Sequence, residues 1–196
     1  MRKRLTVIEG KQLWEEYQRG NIQSLGKLMQ GYYPDLFHWG MRLHNERELV
    51  KDCIQEVFLN LWRLHESIPA VENVRAYLLM VLKSHMLRDL TNKHVMLQSS
   101  IQEDYSFSVE FSADMRMIEE EHEIYQIRKL EAAMNHLPKR QKELIYLRFH
   151  QNLSFEEIAD VMNLGRQSAY NLFQKSLNNL RKHWPVLTLF TAIWIF

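Results

Sequence analysis

Residues 153–180 read LSFEEIADVMNLGRQSAYNLFQKSLNNL, and the spacing within them decides the fold. Ser154-Phe155-Glu156-Glu157 is a capping box: the Ser154 hydroxyl can accept from the Glu157 amide while the Glu157 carboxylate reaches back to the Ser154 amide. A helix from Phe155 to Met162 puts Phe155, Ile158, Ala159 and Met162 on one face. Asn163-Leu164-Gly165 is a tight turn, and a second helix begins at Arg166. Along it Ala169, Leu172, Phe173, Ser176, Leu177 and Leu180 line one side, while Gln167, Tyr170, Asn171, Gln174, Lys175 and Asn178 line the other. Any amphipathic helix pair can carry a capping box. The small Ala169, the three-residue turn and an outer face of amide, phenol and ammonium groups single out a helix-turn-helix.

Those outer groups suit duplex DNA. Gln and Asn can bond adenine bidentately, and Lys can reach guanine or phosphate. Arg166, at the helix start, suits a phosphate contact. The candidate reading residues are Arg166, Gln167, Ser168, Tyr170, Asn171, Gln174 and Lys175.

A second two-faced helix is expected over Arg47 to His65. Val50, Cys53, Ile54, Val57, Phe58 and Leu61 form a broad apolar stripe, and Asp52, Gln55, Glu56, Leu59 and Arg63 fall opposite it at ~100° per residue. Such a face is usually only solvated. Here Leu59 sits in its middle and Trp62 at its edge, and large apolar groups ringed by polar ones mark a protein interface.

The rest of the chain is also helical in pattern. Glycine and proline number 6 and 4, and no stretch alternates with strand-type residues. Further helices are expected over Leu13–Gln18, Ile22–His44 (perturbed near Pro34), Val74–Asn92 and 114–136, with Pro138 opening another to His150. Two short helices, those of the motif, follow. Residues 98–112 are polar and read as linker. The fold class is therefore all-α, with two small helical domains joined by an acidic linker.

The chain has 25 Lys plus Arg and 24 Asp plus Glu, a formal net charge of +1 over 196 residues. That total hides a segregation. Residues 1–97 carry 14 basic against 11 acidic residues, and residues 136–196 carry eight against four. Between them, residues 98–123 carry one basic residue against eight acidic ones, a net of −7. The weak net charge predicts that the free chain binds duplex poorly and with a shallow salt dependence.

No Gly-rich phosphate loop, His-Glu-x-x-His, paired cysteine or Gly-x-Ser-x-Gly occurs. No catalytic residue, metal site, cofactor or small-molecule substrate is expected, so the chain does not read as an enzyme. Cys53, the single cysteine, reads as a buried thiol and fits a reducing compartment. Charged residues follow the basic N-terminus too soon for a signal-peptide core. Trp184–Phe196 is an uncharged apolar tail, but 13 helical residues reach only about 20 Å against a hydrocarbon core of ~30 Å.

At several places the chain resembles extracytoplasmic-function sigma factors of the sigma-70 family. Asp52 to Trp62 (DCIQEVFLNLW) resembles the family's core-polymerase-binding helix, and Val74 to Leu79 the start of its helix for the −10 promoter element. Leu137 to Gln141 and Leu153 to Ala159 resemble the opening of its second DNA-binding domain. The resemblance covers about residues 20–95 and 125–183, with the motifs in family order. Gly165 stands where members often carry Ser, and Tyr170 where a basic residue is frequent.

The resemblance implies a sigma-2-like domain over 1–96, an acidic linker over 97–123, a sigma-4-like helix-turn-helix domain over 124–183, and an apolar tail over 184–196. It implies a cytoplasmic transcription initiation factor whose partners are core RNA polymerase and promoter DNA, and it admits a membrane-bound anti-sigma factor. Asp52, Gln55, Glu56, Leu59 and Trp62 would bind the polymerase. Arg75, Tyr77, Lys83, Ser84 and Arg88 would face the −10 element, with no base assigned to any, and the helix from Arg166 would read the −35 element. The linker's charge would mimic nucleic acid near the RNA exit path. The tail would pack on the second domain, dock an inhibitor or touch a membrane surface. The rival readings are a stand-alone helix-turn-helix regulator and a helical scaffold that uses the tail.

Overall fold

The computed structural model describes residues 5–64, 67–96, 107–108 and 121–183. The expectations for the tail and for most of the acidic linker lie outside these residues. The chain divides into two compact units, within residues 1–106 and 107–196, and among the described residues every regular element is a helix.

The first unit contains α1 (Val7–Gln18), α2 (Ile22–Leu43), α3 (Arg47–Arg63) and α4 (Val74–Met96). Helix α1 begins six residues earlier than its apolar spacing predicts. The signal is Thr6-x-x-Glu9: Thr6 Oγ1 accepts from the Glu9 amide at 3.2 Å, and the Thr6 amide donates to Glu9 Oε2 at 2.8 Å. Gly10, inside this helix, lies where any Cβ would run into the Tyr32 hydroxyl, so a residue that weakens the helix locally permits close packing of α1 on α2. Helix α2 runs through Pro34 without ending, and His38 Nδ1 approaches the Pro34 carbonyl at 2.7 Å.

The core of this unit is Trp14, Tyr17, Leu28, Tyr32, Leu36, Trp39, Leu43, Val50, Ile54, Leu78, Leu79, Leu82 and Met86, all nearly solvent-free. Gly40 lets α3 approach α2, because a Cβ there would meet Val50 Cγ1 at 2.5 Å. Helix α1 also ties down the α3–α4 connection: Trp14 Nε1 donates to the Pro69 carbonyl at 3.1 Å and Gln18 Nε2 to the Ile68 carbonyl at 3.0 Å. The Tyr17 hydroxyl donates to the Leu61 carbonyl.

Burial raises the phenol of Tyr17 to about 12 and also raises those of Tyr32 and Tyr77. A raised folded-state value means that the protonated form is favoured in the fold. Its stabilisation is complete below the unfolded value near 10 and is lost as pH climbs to about 12. The first unit should therefore lose stability in that window, and Tyr17→Phe should remove part of the pH dependence; circular dichroism melts across pH 9–12 check this.

The second unit contains α5 (Glu121–Asn135), α6 (Lys139–Phe149), α7 (Phe155–Met162) and α8 (Arg166–His183). Pro138 is the N-cap of α6. Helix α8 begins at Arg166 as expected and runs to His183, three residues past Leu180. Leu144, Leu147, Leu153, Ile158, Met162, Ala169 and Leu180 build the core. Two buried polar side chains inside it are hydrogen-bonded: Asn179 Nδ2 donates to Gln141 Oε1 at 2.9 Å, and Ser176 Oγ to the Leu172 carbonyl at 2.7 Å.

Phe107 belongs to this unit. It lies inside the stretch expected to be linker, yet its ring is 3% exposed and meets Tyr146 edge-on at 5.7 Å.

Candidate nucleic-acid and protein interfaces

The capping box of α7 forms as its sequence requires, with the Glu157 amide donating to Ser154 Oγ at 3.2 Å and the Ser154 amide to Glu157 Oε2 at 2.7 Å. Asn163 ends α7 in the left-handed region at φ +51°, a conformation Asn tolerates better than most residues. The Gly165 carbonyl accepts from the Ala169 amide at 3.0 Å, which puts Gly165 at the N-cap of α8. Fully buried Ala169 and Ser176 give α8 a flat inner side against α6 and α7.

The outer side of α8 carries all seven expected reading residues. Arg166, Gln167, Ser168, Tyr170, Asn171 and Lys175 are exposed, and Gln174 is half-buried. Gln167 Nε2 donates to Asn171 Oδ1 at 3.1 Å, so the two amides are held side by side with a carbonyl oxygen and an amide nitrogen still open. Arg166 pairs with Glu156 at 2.7 Å. Both side chains are largely exposed, so the pair is weak and a phosphate can compete for the guanidinium. Tyr170 is 46% exposed and leans edge-on against Phe155 at 5.5 Å. Phe155 also meets Phe173 at 5.2 Å, and Phe173 meets the exposed Phe149 at 6.1 Å. The exposure of Phe149 was not legible in the sequence, because a helix-terminal Phe reads as core until its neighbours are placed.

In the first unit α3 is two-faced. Val50, Cys53, Ile54, Val57, Phe58 and Leu61 are buried, and Asp52, Gln55 and Glu56 are exposed. Leu59 and Trp62 stand out among them at 42% and 52% exposure. Leu64, two residues on at the C-cap of α3, is also exposed. The five expected polymerase-facing residues therefore share one accessible surface.

The five residues expected on α4 differ in exposure. Arg75 points inward: its Nε lies 3.5 Å from the carboxylate of buried Asp35, a terminal nitrogen donates to the Leu5 carbonyl at 3.1 Å, and the guanidinium sits over the Tyr32 ring. Tyr77 is half-buried edge-on to Trp14 at 5.3 Å. Lys83 is only 7% exposed. Of the five, Lys83 is thus buried and Arg75 and Tyr77 are half-buried against the rest of the unit. Ser84 and Arg88 are exposed, although Ser84 Oγ already donates to the Met80 carbonyl at 3.0 Å. Asn60 Nδ2 and His85 Nε2 lie 3.1 Å apart and hold α3 on α4.

Arg75→Ala should therefore cost roughly 3 kcal/mol of stability, because it removes a guanidinium held against the buried carboxylate of Asp35. Arg88→Ala should leave the melting curve unchanged. Thermal denaturation of the two variants side by side checks both.

Among the described residues no cluster of His, Cys, Asp and Glu could hold a metal ion, and no helix is long and apolar enough to cross a membrane.

Residues 28–94 match the family Sigma-70 region 2, and residues 133–182 match Sigma-70, region 4. The chain is 21% identical over 162 residues to the ECF RNA polymerase sigma factor SigX of Bacillus subtilis (strain 168), covering 82% of this chain and 83% of that protein. Its fold is similar to the sigma factor RpoE solved in complex with the anti-sigma factor NepR from Bartonella quintana (TM-score 0.57, 16% identity, 82% of this chain and 96% of that one). It is also similar to CnrH in complex with the cytosolic domain of CnrY (TM-score 0.55, 16% identity, 88% and 95%). With region 2 on the helices that bear the α3 surface and region 4 on the helix-turn-helix, the chain belongs to the sigma-70 family as an extracytoplasmic-function sigma factor, an initiation factor that directs RNA polymerase to promoters.

Proposed function

We propose a division of labour in which α3 binds core polymerase through Asp52, Gln55, Glu56, Leu59 and Trp62, while α8 reads the −35 element. Arg166 and Lys175 hold phosphates, and Gln167 and Asn171 bond base edges, with Ser168, Tyr170 and Gln174 at the margins of that contact. Ser84 and Arg88 remain the candidates on α4 for the −10 element. The first unit is the sigma-2-like domain and the second the sigma-4-like domain. The protein acts in the cytoplasm without cofactor and catalyses nothing itself, polymerisation being the work of the core enzyme. An anti-sigma protein is the further partner class, since RpoE and CnrH were solved with NepR and CnrY.

The observation that carries the reading is the exposed, mutually bonded Gln167–Asn171 pair on a capped helix-turn-helix. The test is run-off transcription by core polymerase plus purified protein on a library of genomic fragments. Initiation at a defined subset of fragments is expected. Tight binding to a palindromic duplex without polymerase, unaffected by Asp52→Ala and Gln55→Ala, would instead identify a stand-alone regulator.

A further inference from the structure

Phe155 is the first residue of α7, set by the capping box of Ser154 and Glu157, and it is half-buried. Its ring is held from two further sides. The Arg148 guanidinium lies over it at 5.2 Å, and Arg148 is itself fixed, because its Nη1 donates to the Leu153 carbonyl at 2.8 Å. Phe173 meets the ring edge-on at 5.2 Å. This clamped ring is an edge-on partner, at 5.5 Å and 74°, for Tyr170 on the outer side of α8. A phenol at an exposed helix position otherwise has a choice of staggered rotamers. Contact with Phe155 favours one of them and leaves Tyr170 46% exposed.

Tyr170 lies three residues after Gln167 and directly before Asn171, so it stands beside the bonded amide pair. Three residues advance about 4.5 Å along a helix, and neighbouring bases are about 3.4 Å apart along a strand. The ring thus falls about one base step from the bases that Gln167 and Asn171 bond. The amides supply the hydrogen bonding. The apolar group that base edges present in the major groove is the 5-methyl of thymine, and an uncharged ring held in one place suits it.

We propose that Phe155 is a positioning residue for −35 recognition: clamped under Arg148, it holds the Tyr170 ring where that ring packs on a thymine 5-methyl group beside the bases read by Gln167 and Asn171. The proposal rests on the reading that α8 lies in the major groove of the −35 element.

The test is abortive initiation by holoenzyme on promoters in which each −35 thymine is replaced in turn by uracil, which removes the methyl group alone. At one position the replacement should lower initiation about fourfold, the effect of one buried carbon. Tyr170→Phe should keep that loss and Tyr170→Ala should abolish it. Phe155→Leu fills the site with an apolar side chain but removes the ring, and should cut the loss to less than about twofold, while Phe155→Tyr should restore it. In the free chain, the Tyr170 ring protons should shift between the parent and Phe155→Leu; unchanged shifts would overturn the clamp.

If Phe155→Leu lowers initiation equally on thymine and uracil templates, its role is merely structural and the proposal falls. It falls too if Tyr170→Phe abolishes the uracil effect, since the hydroxyl would then make the contact, or if no uracil effect depends on Tyr170. Gln167→Ala with Asn171→Ala separates these failures from a failure of the −35 reading. When that pair lowers initiation, the reading stands and only the thymine contact is lost; when it changes initiation at no −35 sequence, the reading of α8 falls as well.

Discussion

Holoenzyme carrying Gln167→Ala and Asn171→Ala together should lose at least 30-fold in initiation at promoters that need a −35 element. Each bidentate amide–base contact is worth about 1–3 kcal/mol, so two lost contacts give about 2 kcal/mol as the lower bound, or roughly 30-fold. The two side chains are bonded to each other, so their effects should not add: the first substitution also frees its neighbour to swing away. A double-mutant cycle on abortive-product formation measures this. Both positions are exposed and outside the core, so the melting curve should not move. Lys175→Ala should behave differently. It should weaken binding at all −35 sequences alike and lower the salt slope by about one. The free subunit is a poor reporter here, because its net charge of +1 supplies little general attraction to DNA. The comparison therefore belongs in holoenzyme, where two weak contacts act together.

Trp62→Ala should weaken the affinity for core polymerase by about 30-fold or more. Buried aromatic anchors at protein interfaces cost 2 kcal/mol or more when truncated, and Trp62 is half-exposed in the free chain with Leu59 and Leu64 nearby in sequence and also exposed. Asp52, Gln55 and Glu56 form a polar surround, whose substitution should lower affinity less and change its salt dependence. Titration of labelled protein with core enzyme gives the affinities. The stability of Trp62→Ala should fall much less than that of truncations at Val50, Ile54, Val57 or Leu61, the α3 residues that hold the fold from the opposite face.

The two helices that carry these predictions were legible before any coordinates. A helix repeats every 3.6 residues, so the faces of α3 and α8 follow from spacing alone, and a capping box is a contact between residues three apart. The same box at Thr6 and Glu9 was present in the sequence but lay ahead of the apolar spacing that marks a helix, so α1 was expected too short.

Local pattern failed where a residue's partner is remote. Arg75 and Lys83 are basic residues on a helix expected to touch DNA, and nothing near them in sequence says that they turn inward. The partners of Arg75 are Asp35, forty residues away, and the Leu5 carbonyl, seventy residues away. Phe107 sits in an acidic, serine-rich stretch whose composition says linker, and its ring meets Tyr146 of α6, 39 residues further along the chain.

The sequence by itself therefore determined the helices, their caps, their faces and the family. Those depend on contacts within one or two turns and on motifs in order. Only the tertiary structure decided which basic residues of α4 are exposed and that Phe107 is buried in the second unit. Burial and long-range pairing are properties of how helices pack, and a charge or an aromatic ring carries no local mark of the partner that will claim it.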